Sequence, residues 1–259
     1  MATDSQVRCF RVGEMEVRVS PDPAQMGIDA ADAVVRIIDE AVAARGEASL
    51  ILATGNSQLP FIASLRERAG VPWNRVRIFH MDEYLGMTAD HPASFRKYMR
   101  EKLMDIVHPL AFYGVEGDAP DTAAELRRYT DLLRTYPADA CVMGIGENGH
   151  LAFNDPPAVI WTDKTIHVVE LVESCRRQQV GEGHFRTLDD VPTQALSLTI
   201  PALLAPPRVL VVVPEARKAE AVRATLQGEI TPYCPASLLR TKAGATLYLE
   251  PASAALLDL

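Results

Sequence analysis

A chain of 259 residues with 48% hydrophobic and 23% charged side chains can bury a large core, as one α/β domain or as two small ones. With 26 Lys and Arg against 34 Asp and Glu, the net charge of −8 and the lack of any basic run argue against a nucleic-acid surface, so an anionic ligand needs locally placed cations. No apolar stretch is long enough to span a membrane, MATDSQVRCF at the N-terminus has no apolar leader core, and Cys9, Cys141, Cys175 and Cys234 lie far apart without C-x-x-C spacing, which together predict a cytoplasmic protein with reduced thiols.

Short apolar runs then alternate with helical patterns along the chain. Strands are predicted at Glu16–Val19, Ser49–Ala53, Val76–Met81, Ala140–Met143, Thr165–Leu171, Val209–Val213 and Thr246–Leu249. Several lack polar alternation, as strands do when helices cover both faces of a sheet. Helices are predicted at Asp29–Ala44, stopping near Gly46; at Ser57–Ala69, on Leu59, Ile62, Leu65 and Ala69; and at Ser94–Val107, on Phe95, Met99, Leu103 and Ile106. One α/β domain, 1–259, built on a mainly parallel sheet is the simplest architecture. Residues Val172–Pro192, polar and carrying Gly181 and Gly183, read equally as a lid or as an ordinary surface insertion.

Four polar clusters follow apolar strands: Thr54-Gly55-Asn56-Ser57, Asp82-Glu83-Tyr84, Glu147-Asn148-Gly149-His150 and Glu215-Ala216-Arg217-Lys218. Ligands of open α/β sheets sit at the carboxyl ends of parallel strands, so these loops are expected to line one crevice. Taken singly, each has a structural explanation as a helix cap, solvated turn or surface residue. Backbone N–H groups of Gly55, Asn56 and Ser57 at a helix start suit a phosphate, with Lys218 adding a point charge. Asp82 follows Phe79, His80 and Met81, so a partly apolar mouth is expected to raise its pKa into a range useful for proton transfer. His150 is a second acid/base group, with Asp155 near enough in sequence to orient its ring. Gly144, Gly146 and Gly149 suggest a backbone at positive φ beside a ligand. No nucleophilic Ser or Cys is marked, and no His/Cys/carboxylate ligand spacing is evident, which argues against a metal.

At these residues the chain resembles the glucosamine-6-phosphate deaminase family (glucosamine/galactosamine-6-phosphate isomerases), within the larger group that also holds the 6-phosphogluconolactonases. The likeness runs from Ile51 to about Ser253: ATGNSQLP is similar to the family's phosphate loop, FHMDEYLGMTADHPASF to its catalytic-aspartate segment and GIGENGHLAFNDP to its ring-opening segment. M-D-E-Y and N-G-H-L-A-F-N-D-P favour the deaminase branch over the lactonases. The resemblance implies a three-layer αβα sandwich of modified Rossmann type that turns an amino-sugar 6-phosphate and water into a ketose 6-phosphate and ammonia, with no cofactor. It implies that Asp82 moves a proton between C2 and C1, that Asn148, His150 and Asp155 open the sugar ring, and that Lys218 binds phosphate. Thr54, Gly55, Asn56, Ser57, Glu83 and Gly149 fall in its substrate-binding segments. Members are often homo-oligomers.

Departures from the pattern are specific. Asp155 replaces a more usual Glu, and Asn148 stands where some members carry Asp. The family's phosphate-binding Arg before a Phe aligns with His184-Phe185, leaving Arg176 or Arg177 as substitutes, and the late segment reads Ser237-Leu238-Leu239-Arg240-Thr241-Lys242. These leave galactosamine 6-phosphate open beside glucosamine 6-phosphate. The regulatory stretch of some members matches Thr162–Val168, which has Lys164 beside Asp163 in place of their Arg-x-Lys-Thr pattern, so no activation by an acetylated sugar phosphate is expected. A lactonase-type hydrolase and a non-catalytic sugar-phosphate sensor are the alternatives.

Overall fold

The computed structural model describes residues 7–258; Met1–Gln6, part of the segment read for a leader, lie outside the described residues. A hairpin of β1 (Arg8–Val12) and β2 (Met15–Val19) leads into α1 (Pro23–Arg45), β3 (Ala48–Leu52) and α2 (Leu59–Arg66). β4 (Val76–His80) passes almost directly into β5 (Asp82–Tyr84), followed by α3 (Phe95–Met99), a π turn (Arg100–Met104), α4 (Asp105–Val107) and β6 (Ala111–Tyr113). Then come α5 (Thr122–Thr135), β7 (Ala140–Met143), β8 (Ile166–Glu170), α6 (Glu173–Gly181), β9 (Gln194–Leu198), α7 (Ile200–Leu204), β10 (Arg208–Val213), α8 (Ala219–Gln227) and β11 (Ala245–Leu249).

Among the described residues the main sheet has the order β1-β2-β11-β10-β7-β3-β4-β6, parallel throughout except for the β1–β2 hairpin at one edge. Both faces are buried, which is why its inner strands read as apolar runs. Leu50, Leu52, Val142, Leu210 and Val212 point into one layer with Met26, Val34 and Ile38 of α1 and Phe61, Ile62 and Leu65 of α2. Ile51, Cys141, Met143, Val209, Val211 and Val213 point into the other, with Tyr129 of α5, Leu203 of α7 and Val222 and Leu226 of α8. The result is the expected αβα sandwich on a mainly parallel sheet. No helix among the described residues is long and apolar enough to cross a membrane.

Several elements differ from the sequence expectation. The run Thr165–Leu171 yields β8, which joins not the main sheet but a small antiparallel one, β5-β9-β8. Its burial alternates along Ile166–Glu170, as a one-sided strand requires. β1, β5, β6 and β9 are too short or too polar to stand out. Helix α1 begins six residues before the predicted start, because Asp22 caps it by accepting from Gln25 N at 2.8 Å and Pro23 takes a position that needs no N–H donor. The predicted helix Ser94–Val107 is interrupted by the π turn, whose wider winding rotates Met104 into the core and leaves Ile106 half exposed.

Gly27 lies inside α1, where glycine is a poor helix former, yet a β-carbon there would lie 2.6 Å from the Pro60 carbonyl oxygen of α2. The close approach of the two helices outweighs the propensity loss. Gly27→Ala is expected to destabilise the fold by ~1–3 kcal/mol net, although alanine alone would favour the helix by ~1 kcal/mol. Urea unfolding measures this; an unchanged or raised midpoint would remove the packing explanation.

Candidate active site

Four strand ends converge. Ala53, Thr54, Gly55 and Ser57 after β3, Met81 and Asp82 after β4, Gly144–Gly146 after β7 and Lys218 after β10 line a single cleft, and Gln178, Gln179, Glu182 and His184 of α6 and its following loop form the opposite wall. All four predicted loops thus contribute to the crevice. Of the predicted residues, Thr54, Gly55, Ser57, Asp82, His150 and Lys218 face it, whereas Asn56, Glu83, Asn148, Gly149 and Asp155 do not line it.

One end of the cleft is built for an anion. Gly55, at φ 102°, turns the chain from β3 into a 3-10 turn that continues as α2, and the Tyr98 hydroxyl fixes this turn by donating to the Gly55 carbonyl at 2.9 Å. Asn56 is turned outward, its amide donating to the Glu182 carbonyl at 3.3 Å. Lys218 is only 3% exposed, and its ammonium has no hydrogen-bond or ion-pair partner among the described residues. Burial lowers its pKa, with Glu182 acting in the opposite sense. Such a cation is stabilised by an anion entering the cleft.

The neighbouring Arg217 is already engaged by three carboxylates, Glu215 at 2.6 Å, Glu182 at 3.0 Å and Glu147 at 3.1 Å. Burial alone would raise the pKa of Glu182, but His184, Gln178, Arg217 and Lys218 outweigh it and hold the carboxyl down at about 2. Glu182 therefore closes the wall as a fixed anion. The expected substitutes for the missing arginine do not reach the cleft: Arg176 donates to the Leu188 and Val191 carbonyls, and Arg177 pairs with Glu173 on the exposed side of α6. His184, 3.4 Å from Glu182, lines the cleft in their place.

Asp82 and Glu83 are adjacent in sequence and opposite in surroundings. Asp82 is 6% exposed, its carboxylate has no hydrogen-bond partner among the described residues, and burial followed by the charge of Glu83 pushes its pKa up to about 8. Alternation along β5 turns Glu83 away from the cleft into a pocket of donors: Tyr84 N, Ser94 Oγ, Phe95 N and Arg96 N approach at 2.7–3.2 Å. The Arg96 guanidinium adds a fifth donor at 3.5 Å, and burial raises the Glu83 pKa as well, against these hydrogen bonds. Its contacts hold the Asp82 segment to the start of α3, and it does not reach the cleft. His80, fully buried, accepts from Val115 N at 2.6 Å and is kept neutral by burial, its pKa lowered to about 3.

The loop after β7 organises itself around Asn148. Its amide oxygen accepts from His150 N at 3.1 Å and its amide nitrogen donates to Asp155 Oδ1 at 3.0 Å. An aspartate at 148 would set two carboxylates against each other, so the amide suits this arrangement. His150 Nδ1 lies 3.1 Å from Asp155 Oδ1 but off the line of a ring N–H, and neither Nδ1 nor Asp155 Oδ2 has a hydrogen-bond partner. The Asp155 side chain is 4% exposed; burial would raise its pKa, and His150, Asn148 and Cys175 together outweigh that and lower it. Only Gly149 of the loop's glycines has positive φ, at 84°. Gly146 serves differently, since a β-carbon there would collide with the His150 ring.

Two features escaped the sequence. Gln178, Gln179, Glu182 and His184 line the cleft from a segment whose polarity was visible but whose direction was not. And α6 brings Cys175 against Asp155, so that His150, Asp155 and Cys175 offer ligand atoms within 4.8 Å of one another. Ligand spacing in the sequence did not signal this cluster, because Cys175 lies 20 residues beyond Asp155 and meets the His150–Asp155 pair only through the fold.

Residues 21–248 match the family described as glucosamine-6-phosphate isomerases/6-phosphogluconolactonase. A glucosamine-6-phosphate deaminase from an Exiguobacterium species is 34% identical over 231 residues, covering 89% of each chain. Among solved structures, a monomeric glucosamine-6-phosphate deaminase superposes with a TM-score of 0.85 at 29% identity, over 93% of this chain and 99% of that one. A 6-phosphogluconolactonase from Shewanella baltica shares the fold, with a TM-score of 0.74 at 19% identity over 93% and 97% of the two chains. The cleft, the loops that build it and these likenesses agree: the chain belongs to the glucosamine-6-phosphate isomerase/6-phosphogluconolactonase family.

Proposed function

We propose that this protein is an amino-sugar-6-phosphate deaminase/isomerase, which converts glucosamine 6-phosphate or its galactosamine epimer and water into the ketose 6-phosphate and ammonia. The observation that carries the proposal is Asp82: an unpartnered carboxyl with a raised pKa, in a cleft with an unpaired lysine on one side and a His150–Asp155 pair on the other. The 34% identity to a deaminase supports this branch over lactone hydrolysis. Phosphate binds Lys218, His184 and the turn at Thr54–Ser57, with residues 172–192 as a lid held by the Glu182–Arg217 pair. His150, oriented by Asn148 and Asp155, takes the proton of the anomeric hydroxyl and protonates the ring oxygen, opening the sugar. Asp82 then removes the C2 proton and returns it to C1, while the C2 ammonium gives one proton to the carbonyl oxygen at C1. The C2 imine left by this transfer is hydrolysed by water, releasing ammonia. These steps use only side chains of the chain itself, in the cytoplasm. An ammonia-release assay across amino-sugar 6-phosphates tests the whole proposal; release from none of them, with lactone hydrolysis instead, would overturn it.

Each role has its own measurement. As the base form of Asp82 grows only when pH passes about 8, kcat/KM is expected to rise with pH through that value rather than near 4. Asp82→Asn should lose this limb together with about 10²-fold or more of kcat while still binding the sugar phosphate. A profile flat from pH 5 to 9 would remove Asp82 as the base.

Lys218→Met is expected to raise KM for the phosphorylated sugar about tenfold or more, the loss of one charge-assisted hydrogen bond, and to leave the unphosphorylated sugar unaffected. Equal effects on the two sugars would show that Lys218 does not meet the phosphate. For His150→Gln, the closed pyranose should suffer by about 10²-fold or more, and a non-cyclisable open-chain analogue far less. Loss of the same size for both would assign His150 to a step after ring opening.

A further inference from the structure

His150 and Asp155 come from the loop after β7, Cys175 from the first turn of α6, and together they present nitrogen, oxygen and sulfur ligand atoms within 4.8 Å of one another. His150 Nδ1 faces Asp155 Oδ1 at 3.1 Å without an aligned ring N–H, and Asp155 Oδ2 is buried without a hydrogen-bond partner, so a bound cation would satisfy lone pairs that the protein leaves unused. From this convergence we propose that the cluster is a Zn²⁺ site, and that the bound metal inhibits the enzyme by occupying the His150–Asp155 pair.

The donor set selects the ion. A mixed imidazole, thiolate and carboxylate set is met by zinc, whereas calcium and magnesium take oxygen alone. Zinc bonds of ~2.0–2.3 Å put tetrahedral ligand atoms ~3.3–3.8 Å apart, so closing the cluster takes movements of about 1 Å, within reach of side-chain rotation. Three protein ligands leave a fourth position for water. A second cavity, lined by Glu147, Asn148, Cys175 and Gln178 with Arg177 and Arg217, adjoins the cysteine from outside the substrate cleft. As the Zn–S bond forms, the Cys175 thiol gives its proton to the buffer.

The inhibition rests on the proposed role of His150, but the site itself does not. Full-length protein, stripped with chelator and titrated with Zn²⁺, is expected to bind one ion per chain by equilibrium dialysis, to lose at least about tenfold in ammonia release, and to recover on adding chelator. Co²⁺ in place of Zn²⁺ should give a thiolate charge-transfer band. Cys175→Ser should abolish the band and weaken Zn²⁺ binding about 100-fold, and His150→Gln should weaken binding with the cysteine intact; thermal melting checks that both variants remain folded. Absence of stoichiometric binding by the unaltered protein, a missing thiolate band, or unchanged affinity in both variants would overturn the site. Stoichiometric binding with undiminished turnover would overturn the inhibition alone, and binding in a protein that releases no ammonia would count against the deaminase proposal and not against the metal site.

Discussion

The parallel backbone ladder through β4, β3, β7 and β10 is the constraint from which the cleft follows. Leu52 is in register with both His80 and Val142, and Val211 with Met143, so the four strands end at nearly the same level. Parallel strands need their connections to return along the faces, which is why helices cover both sides and why the strands are apolar on both. With the connections spent on the faces, the loops at the carboxyl edge are free to carry polar groups. Asp82, the Thr54–Ser57 turn, His150 and Lys218 are near one another because the strands before them are hydrogen-bonded neighbours, not because their loops attract one another.

Electrostatics then separates groups that sequence makes equal. Glu83 has five donors around its carboxylate, the Arg96 guanidinium among them, and Asp82 has none, so the charge of this adjacent pair is favoured on Glu83 and the proton on Asp82. Their titration belongs to the pair. The same sorting operates among the cations: Arg217 is neutralised by its three carboxylates, whereas Lys218, one residue on, is left unpaired inside the cleft.

Most of the architecture was legible from local pattern. The long apolar runs around Leu50, Val142 and Val211 signal strands buried on both faces, and the polar clusters after them signal the ligand edge. What was not legible depends on contacts distant in sequence. β5 and β9 are strands because they pair with each other, not through a strong propensity of D-E-Y or Q-A-L-S-L. The inward direction of Glu182 and His184, and the outward direction of Arg176 and Arg177, follow from how α6 lies on the small cluster around Tyr84, Phe153 and Phe185. Glycine at 144 and 146 looked like a demand for unusual φ. For Gly146 it is a demand for space, made by a ring four residues ahead.

Helix α6 touches both ends of the cleft. Its nine residues, about 13 Å of rigid rod, carry Cys175 against Asp155 near the start and lead into Glu182, paired with Arg217, just past the end. Events at the two ends are therefore joined by one lever. Thermodynamic reciprocity follows for any pair of ligands that shift this lever between positions: the factor by which an anion beside Lys218 changes affinity for an occupant at Asp155 is the factor by which that occupant changes affinity for the anion.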